Sequence, residues 1–258
     1  MSKYVATARM ATAGHLADGL FVGFDYALRL LRVLVLLALW RIVLGPDGAN
    51  GMSTAAVLTY TLVAAVFAEQ LAVRTDLDVA IWNGSVASHY LRPHGIVAGF
   101  AAETAGRWLI DLVLFSSPLF LIAPLLSVDP LPASVPNGLL FAVSLALGIS
   151  IGLALEFFFG ALIFALDFNL WAMRQLRGAV EVILAGAIVP LALLPWGLGD
   201  LLAWTPYAST ASAPLRIYTA TGDPIVLLLG QVGWNVLLWP LVGWLWSANR
   251  ERLVSYGG

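Results

Sequence analysis

Residues 139–166 read LLFAVSLALGISIGLALEFFFGALIFAL, and this stretch decides the class of the fold. Glu156 is its only charged residue. About 20 consecutive apolar residues are enough for a helix to cross the hydrocarbon core of a bilayer. The stretch therefore predicts a transmembrane helix that is long enough to tilt or to project beyond the membrane.

Five other stretches have the same character and predict further spans: residues 28–44, 54–73, 108–126, 179–194 and 225–246. The whole chain of 258 residues is 60% hydrophobic and only 11% charged, whereas soluble domains are about 45–50% apolar and about 25% charged. We therefore predict an all-α polytopic membrane protein with six transmembrane helices. It forms a single domain over residues 1–258, with the six-span bundle at 28–246 and a cytosolic tail at 247–258.

The distribution of basic residues in the loops predicts the orientation, because cytosolic loops are rich in arginine and lysine. With both termini in the cytosol, only Arg41 and Arg216 of the 13 basic residues fall outside. The N-terminal residues 1–27 have a weak apolar stripe and predict an interfacial helix on the membrane surface. An ordinary cytosolic extension is the alternative for this segment.

Residues 196–224 connect the fifth and sixth predicted spans on the outer side and are only half polar. Irregular backbone at membrane depth has to be buried in protein or line a cavity. We interpret the segment as one or two re-entrant helices broken by Pro206 and Pro214. An outer loop with aromatic residues at the membrane interface is the alternative.

Several kinds of chemistry are excluded or disfavoured. The chain has no cysteine, and its one lysine, Lys3, has no glycine-rich run before it, so a P-loop is absent. His15, His89 and His94 lack metal-ligand spacing, and no GxSxG motif surrounds a serine. The net charge of −2 does not suggest a nucleic-acid partner. We predict neither a catalytic nor a metal site, and no cofactor in this chain.

Ionisable residues inside spans commonly mark function, and here they include Asp111, Glu156 and Glu181. Two of them stand four residues after an arginine, which predicts the intrahelical pairs Arg107–Asp111 and Arg177–Glu181. Glu69 is expected to reach Arg74. Glu156 has no local partner, so we expect it to pair with an arginine on another helix, or else to line a polar path. No gathering of polar groups at one depth is evident from the sequence.

Residues 76–93, DLDVAIWNGSVASHYLRP, predict a short amphipathic cytosolic helix. Asp76 and Asp78 lie at its start, where carboxylates suit a helix N-terminus, and Pro93 is expected to end it. On composition alone, a membrane-surface helix without a partner is the favoured interpretation.

Three segments in order resemble a known family: WRIVLGPDGANGMSTAAVLTY at 40–60, the segment 76–93, and ILAGAIVPLALLPWGLGDLLAWTPYASTASAPLRIYTA at 183–220. The chain resembles permease subunits of ATP-binding cassette (ABC) transporters of the type-2, exporter-like class, in particular the paired bacterial permeases with six spans. Where that family often has a basic residue before the glycine, this chain has Trp82 and Asn83 before Gly84.

The resemblance implies that two permease subunits form one path and that separate ABC ATPase subunits, which hold ATP and Mg, dock in the cytosol. It implies an ATPase-coupling role for Asp76, Asp78, Ile81, Trp82, Gly84, His89, Leu91, Arg92 and Pro93. It implies an outer gate formed by Pro190, Pro195, Trp204, Pro206, Tyr207 and Pro214. A heterodimer in the bacterial plasma membrane, surrounded by lipid, is favoured.

The function expected from the resemblance is export of a small amphipathic or lipid-like molecule, powered by the partner ATPase. A secondary transporter driven by an ion gradient is the alternative. That class commonly shows internal repeats, and residues 1–130 and 131–258 show no convincing one. A membrane enzyme is the third possibility and is disfavoured because no site is recognisable.

Overall fold

The computed structural model describes residues 19–45, 48–90, 95–166 and 169–249. Within these ranges the regular structure is helical, apart from one isolated β-bridge between Ala49 and Met52. The first six helices are α1 (Gly19–Leu44), α2 (Thr54–Val66), α3 (Ala68–Leu71), α4 (Leu77–Trp82), α5 (Val86–Tyr90) and α6 (Ile96–Asp111). The rest are α7 (Ser117–Ile122), α8 (Val135–Leu166), α9 (Leu170–Leu184), α10 (Leu198–Leu202), α11 (Pro206–Thr210), α12 (Ser212–Tyr218) and α13 (Pro224–Ala248).

Three helical stretches of the described chain are long and apolar enough to cross a membrane. They are Ile96–Leu126, in which α6 continues through a π-turn into α7 and a final 3-10 turn, Val135–Ile163 in α8, and Pro224–Ala248, which is α13. These features fit a helical, multi-pass membrane protein. α2 and α9 have 13 and 15 residues, which is short of the roughly 17 that a spanning helix needs.

Two predicted boundaries in the N-terminal half are wrong. α1 runs without a break from Gly19, so no boundary separates an interfacial helix from the first span at residue 27; residues 1–18 lie outside the described part of the chain. The predicted second span, 54–73, is interrupted because α2 ends at Val66. The Ser116 hydroxyl donates to the Val66 carbonyl at 2.6 Å and so satisfies one of the last carbonyls of α2.

The predicted fifth span, 179–194, is also wrong. α9 begins at Leu170, because the Asn169 side chain accepts hydrogen bonds from the backbone of the first turn. It ends at Leu184, since Gly186 adopts a φ of +70°, which favours glycine. The Gly186 carbonyl accepts a hydrogen bond of 2.7 Å from the Tyr60 hydroxyl instead of continuing the helix.

α8 is the central helix and packs against α3, α4, α6, α9, α11, α12 and α13. Glycines let other backbone segments approach it closely, as small residues do between membrane helices. A Cβ atom added at Gly148 would lie 2.9 Å from the Thr210 carbonyl oxygen, and one at Gly152 would lie 2.6 Å from the Val73 side chain. At Gly160 it would lie 2.9 Å from Leu77. These glycines therefore fix how near α11, the segment before α4, and α4 itself approach α8.

α13 is joined to α8 by hydrogen bonds along most of its length. Gln231 bonds with both the hydroxyl and the carbonyl of Ser144, and the Asn235 amide donates to the Leu147 carbonyl at 3.2 Å. Further along, the Trp239 indole donates to the Ser150 hydroxyl and the Trp246 indole to the Phe157 carbonyl. We call this interface the α8–α13 seam.

The segment between α9 and α13 folds back into the bundle. Near its start, the Asn50 side chain, in the turn after α1, donates to the Ala192 carbonyl. The chain then passes Trp204, whose carbonyl accepts from the Trp234 indole, and α11 and α12 return along α8. At the end of α12 the Tyr218 hydroxyl donates to the Pro130 carbonyl at 2.6 Å, and burial together with the nearby Asp129 raises the pKa of Tyr218 to about 12.

Pro206 stands at a break between helices, as expected, since α10 ends at Leu202 and α11 begins at Pro206, whereas the expectation that Pro214 breaks a helix is wrong. Pro206 is the first residue of α11, a position where the missing N–H costs nothing. Pro214 lies in the first turn of α12 and is equally tolerated there. A second break falls between them at Ala211, with φ −121° and ψ −54°.

Candidate functional site at the charged end of the bundle

A cleft of about 310 Å³ opens at one end of the helix bundle. Its lining includes five arginines and six carboxylates, so its formal charge is close to zero. We call these residues the ion-pair layer: Arg29, Glu69, Arg74, Asp76, Asp78, Arg107, Asp111, Glu156, Arg174, Arg177 and Glu181. The fold thus gathers polar groups from well-separated parts of the chain, a gathering that the sequence does not reveal.

Arg29 joins α1 to two other helices. Its guanidinium contacts the carboxylates of Glu69 on α3 at 2.8 Å and Asp111 on α6 at 3.0 Å. Asp25, one turn earlier on α1, contacts the Arg29 Nε at 2.7 Å. Three carboxylates surround one arginine, so this guanidinium is fully engaged within the chain.

Glu156 is the most deeply buried acid of the layer, with 5% of its side chain exposed. One carboxylate oxygen is paired with Arg177 on α9, and the other accepts from the backbone N–H and the hydroxyl of Thr75, at 3.3 and 3.2 Å. Arg177 also donates to the Val73 carbonyl at 2.7 Å. The pair therefore holds α8, α9 and the segment before α4 together, as expected for a buried charge that needs both a counter-ion and hydrogen bonds.

α4 is held by ion pairs to two longer helices. Asp76, immediately before α4, pairs with Arg107 on α6, and Asp78 pairs with Arg174 on α9 at 3.0 Å. Leu77 between the two acids is buried and reaches Gly160 on α8. α4 is therefore in contact with α6, α8 and α9.

The residues for which the resemblance implies ATPase coupling are divided between buried and exposed positions. Ile81 and His89 are buried, and the His89 ring stacks on Phe100 with centroids 4.4 Å apart. Trp82 is 69% exposed, and Val79 on the same helix is 46% exposed. The structure does not describe residues 91–94, so Leu91, Arg92 and Pro93 lie outside the described residues.

The prediction of one continuous helix over residues 76–93 is wrong. The segment forms α4 and α5, separated at Gly84, whose φ is +72°. The Asn83 side chain accepts a hydrogen bond from the Ser85 backbone N–H at 3.0 Å and stabilises this turn. An asparagine followed by glycine is a turn signal, so the sequence did contain the information.

The predicted pairs within helices are wrong. Arg107 pairs with Asp76 rather than with Asp111, and Asp111 pairs with Arg29. Arg177 pairs with Glu156, whereas Glu181 pairs with Arg74 at 3.4 Å. Glu69, expected to reach Arg74, contacts Arg29. The expectation for Glu156, an arginine on another helix, is confirmed. Tertiary partners replace the four-residue spacing because those pairs stabilise isolated helices by only about 0.2–0.5 kcal/mol.

The residues for which the resemblance implies an outer gate do not form one cluster. Pro190 is buried beside the turn Leu191–Leu193, and Trp204 is largely exposed. Pro195 is exposed, and Pro206 and Pro214 lie in the first turns of α11 and α12.

Tyr207, the second residue of α11, reaches the ion-pair layer. Its hydroxyl lies near the Arg177 guanidinium, and neither this hydroxyl nor the Arg177 Nε, both buried, has a hydrogen-bond partner among the described residues. This contact between the predicted gate and the charged end was not anticipated from the sequence.

The described residues contain no group of three or more histidines, cysteines or carboxylates arranged to hold a metal ion. No protein-family model matches the chain, and no curated protein and no solved structure matches it either. The function therefore has to be argued from the site itself.

Proposed function

We propose that this chain is the transmembrane subunit of an ABC transporter of the exporter-like class, which receives its work from a separate ATPase. The single observation that carries the proposal is the geometry of α4. Its Asp76 and Asp78 are tied to α6 and α9 by ion pairs, while Val79 and Trp82 remain exposed. A short helix with an exposed apolar face and fixed links to three longer helices is suited to receive a partner and to transmit its motion.

The contact of Tyr207 with Arg177 supports a path from α4 towards the opposite end. Thr75, one residue before Asp76, bonds with Glu156, and Glu156 pairs with Arg177, which Tyr207 faces. Since Tyr207 lies in the folded-back segment, this chain of contacts links the proposed docking helix to the proposed gate. A re-entrant role for the segment is part of the proposal.

The distribution of arginines between the two ends of the bundle supports six spans with both termini in the cytosol. The ion-pair layer contains residues that the loop charges assign to the cytosolic side. At the opposite end, Arg41 donates to the Leu126 and Ser127 carbonyls, at the end of the composite Ile96–Leu126 stretch. In this proposal α1, α2 with α3, and α9 with the residues after it complete the six spans, in the plasma membrane of a bacterium.

The proposal is tested by co-expressing the chain with an ATPase that is encoded beside it and has a P-loop. We expect the two to co-purify and the chain to stimulate ATP hydrolysis, with no hydrolysis by the chain alone. Trp82→Ala is expected to reduce the stimulation at least tenfold, because an exposed aromatic residue at a contact is a typical anchor. Trp196→Ala is the matched control, since Trp196 is 92% exposed but lies beyond α9, in the segment that folds back.

Equal stimulation by both variants would contradict docking at α4.

A secondary transporter is the second candidate, and it predicts substrate uptake into vesicles that follows an imposed ion gradient without any ATPase. The cargo in the leading proposal is a small amphipathic or lipid-like molecule, moved by a dimer of permease subunits, with a heterodimer favoured. ATP and Mg bind only to the partner ATPase in this scheme.

A further inference from the structure

A second cavity, a groove of about 210 Å³, lies between α1, the α2–α3 region and α9. Its walls are almost entirely apolar away from one end. Small side chains line much of it: Ala64, Ala65, Ala68, Ala72, Ala185, Ala187 and Ala211. Larger apolar residues, including Val33, Leu36 and Val182, complete the walls. The groove exists because alanines from several segments face one another where leucine or phenylalanine would fill the space.

One end of the groove is basic. Arg29, Arg32 and Arg74 line it, and Glu181 is the one acid among the described lining residues. Arg29 is engaged by three carboxylates, so it is not available to a ligand. Arg74 is 58% exposed, and its single ion pair with the described residues is the contact of 3.4 Å with Glu181. Arg32 is exposed and has no ion pair among the described residues.

We propose that this groove binds one acyl chain of an anionic phospholipid from the surrounding bilayer, with its phosphate at Arg32 and Arg74. This lipid site rests on the proposed function, in which the chain lies in a membrane and transports an amphiphile. Charge complementarity selects the ligand: an apolar slot with the exposed Arg32 and the exposed, weakly paired Arg74 at one end matches an apolar chain that ends in an anion. The volume is below the roughly 300–1,000 Å³ of pockets for drug-sized ligands, so it suits part of a single chain.

The position of the groove adds a consequence for transport. Arg74 and Glu181 line both the groove and the charged cleft, and Ala185 and Ala187 lie next to Gly186, where α9 ends. A lipid in the groove therefore contacts the same helix that carries Arg174 and Arg177. Its binding is expected to be sensitive to the state of the ion-pair layer.

The test is a lipid titration of the purified full-length chain in neutral detergent, followed by native mass spectrometry. Phosphatidylglycerol and phosphatidylcholine with identical acyl chains are the two probes. We expect phosphatidylglycerol to bind more tightly, and Arg32→Gln to weaken it about fivefold, which is the effect of about 1 kcal/mol per arginine. Arg41→Gln, on the same helix but away from the groove, is the control.

The apolar part is tested by filling the groove. Ala68→Phe and Ala187→Phe, on two different walls, are each expected to lower the binding of both lipids at least tenfold. Ala142→Phe, at an exposed position on α8, is expected to change neither. Equal binding of both lipids to the wild type, or no loss in either groove variant, overturns the proposal.

A third result also overturns it: if the groove variants abolish association between two chains but leave lipid binding intact, a second copy occupies the groove. The titration needs no ATPase. Failure here therefore leaves the proposed coupling at α4 untouched, and failure of ATPase stimulation leaves the lipid result standing.

Discussion

The α8–α13 seam and the ion-pair layer hold helices together in different ways. At the seam, neutral side chains of α13 bond to α8 at successive levels from Gln231 to Trp246. In the layer, charged side chains from α1, α3, α6, α8 and α9 meet at one end only. Bonds spread along a length fix both position and tilt, whereas bonds at one end leave the remainder of a helix free to tilt. α8 and α13 therefore form a rigid pair, against which α4 and α9 are expected to move.

The largest effect is expected from breaking the buried pair of the layer. Arg177→Met leaves the Glu156 carboxylate buried without its counter-ion, which costs about 3–5 kcal/mol. Unfolding of the purified chain by a denaturing detergent measures this free energy. Arg174→Met is the matched control, because Arg174 is 52% exposed and exposed pairs contribute about 0–1 kcal/mol.

The double variant Glu156→Leu with Arg177→Met distinguishes the cost of an unpaired buried charge from the cost of lost packing, because it removes both charges. We expect it to regain much of the lost stability, since no isolated charge remains buried. Equal losses for the Arg177 and Arg174 variants would show that water reaches both pairs alike, and the contrast between the layer and the seam would then fail.

A smaller effect is expected where the layer contacts the rigid pair. In Gly152→Ala the new Cβ atom lies 2.6 Å from the stiff Val73 side chain, whose carbonyl accepts from Arg177. Overpacking of this kind costs about 1–3 kcal/mol. Gly243→Ala on α13 is the control, because its Cβ atom meets nothing within 4 Å. For this control we expect the free energy of unfolding to rise by up to about 1 kcal/mol, because alanine has a higher helix propensity than glycine.

The same unfolding assay decides this point. A destabilised Gly243→Ala variant, or a neutral Gly152→Ala variant, would mean that the close approach of Val73 to α8 is not maintained in the folded protein.

The sequence predicts the two long helices of the seam well and the layer poorly. The expected spans at 139–166 and 225–246 agree closely with α8 and α13, because an uninterrupted apolar run has one favourable state in a membrane. The bond between Arg29 and Asp111 joins residues 82 positions apart. No local pattern specifies such a pair, so the sequence predicts the nearest arginine at helical spacing instead.

Other features were readable but were missed. Gln231, Asn235 and Trp239 recur every four residues and mark one polar stripe on α13, which predicts a partner helix along that face. The start of α9 was missed for the opposite reason. Arg174 and Arg177 made residues 170–178 too polar to be assigned to a span, although these arginines find their partners inside the fold.

The smallest effect is expected at the seam, and it tests whether its strength is distributed. Gln231 is fully buried, and its amide donates to the carbonyls of Ser144 and Ser209 at 3.0 and 2.8 Å. Gln231→Leu removes these bonds, yet hydrogen bonds between membrane helices average only about 0.6 kcal/mol and reach about 1.7 kcal/mol. We expect a loss within that range, and no measurable loss for Gln175→Leu at an exposed position on α9. A loss as large as that of Arg177→Met would mean that Gln231 alone holds α13, and the rigidity of the seam would then depend on one contact rather than on its length.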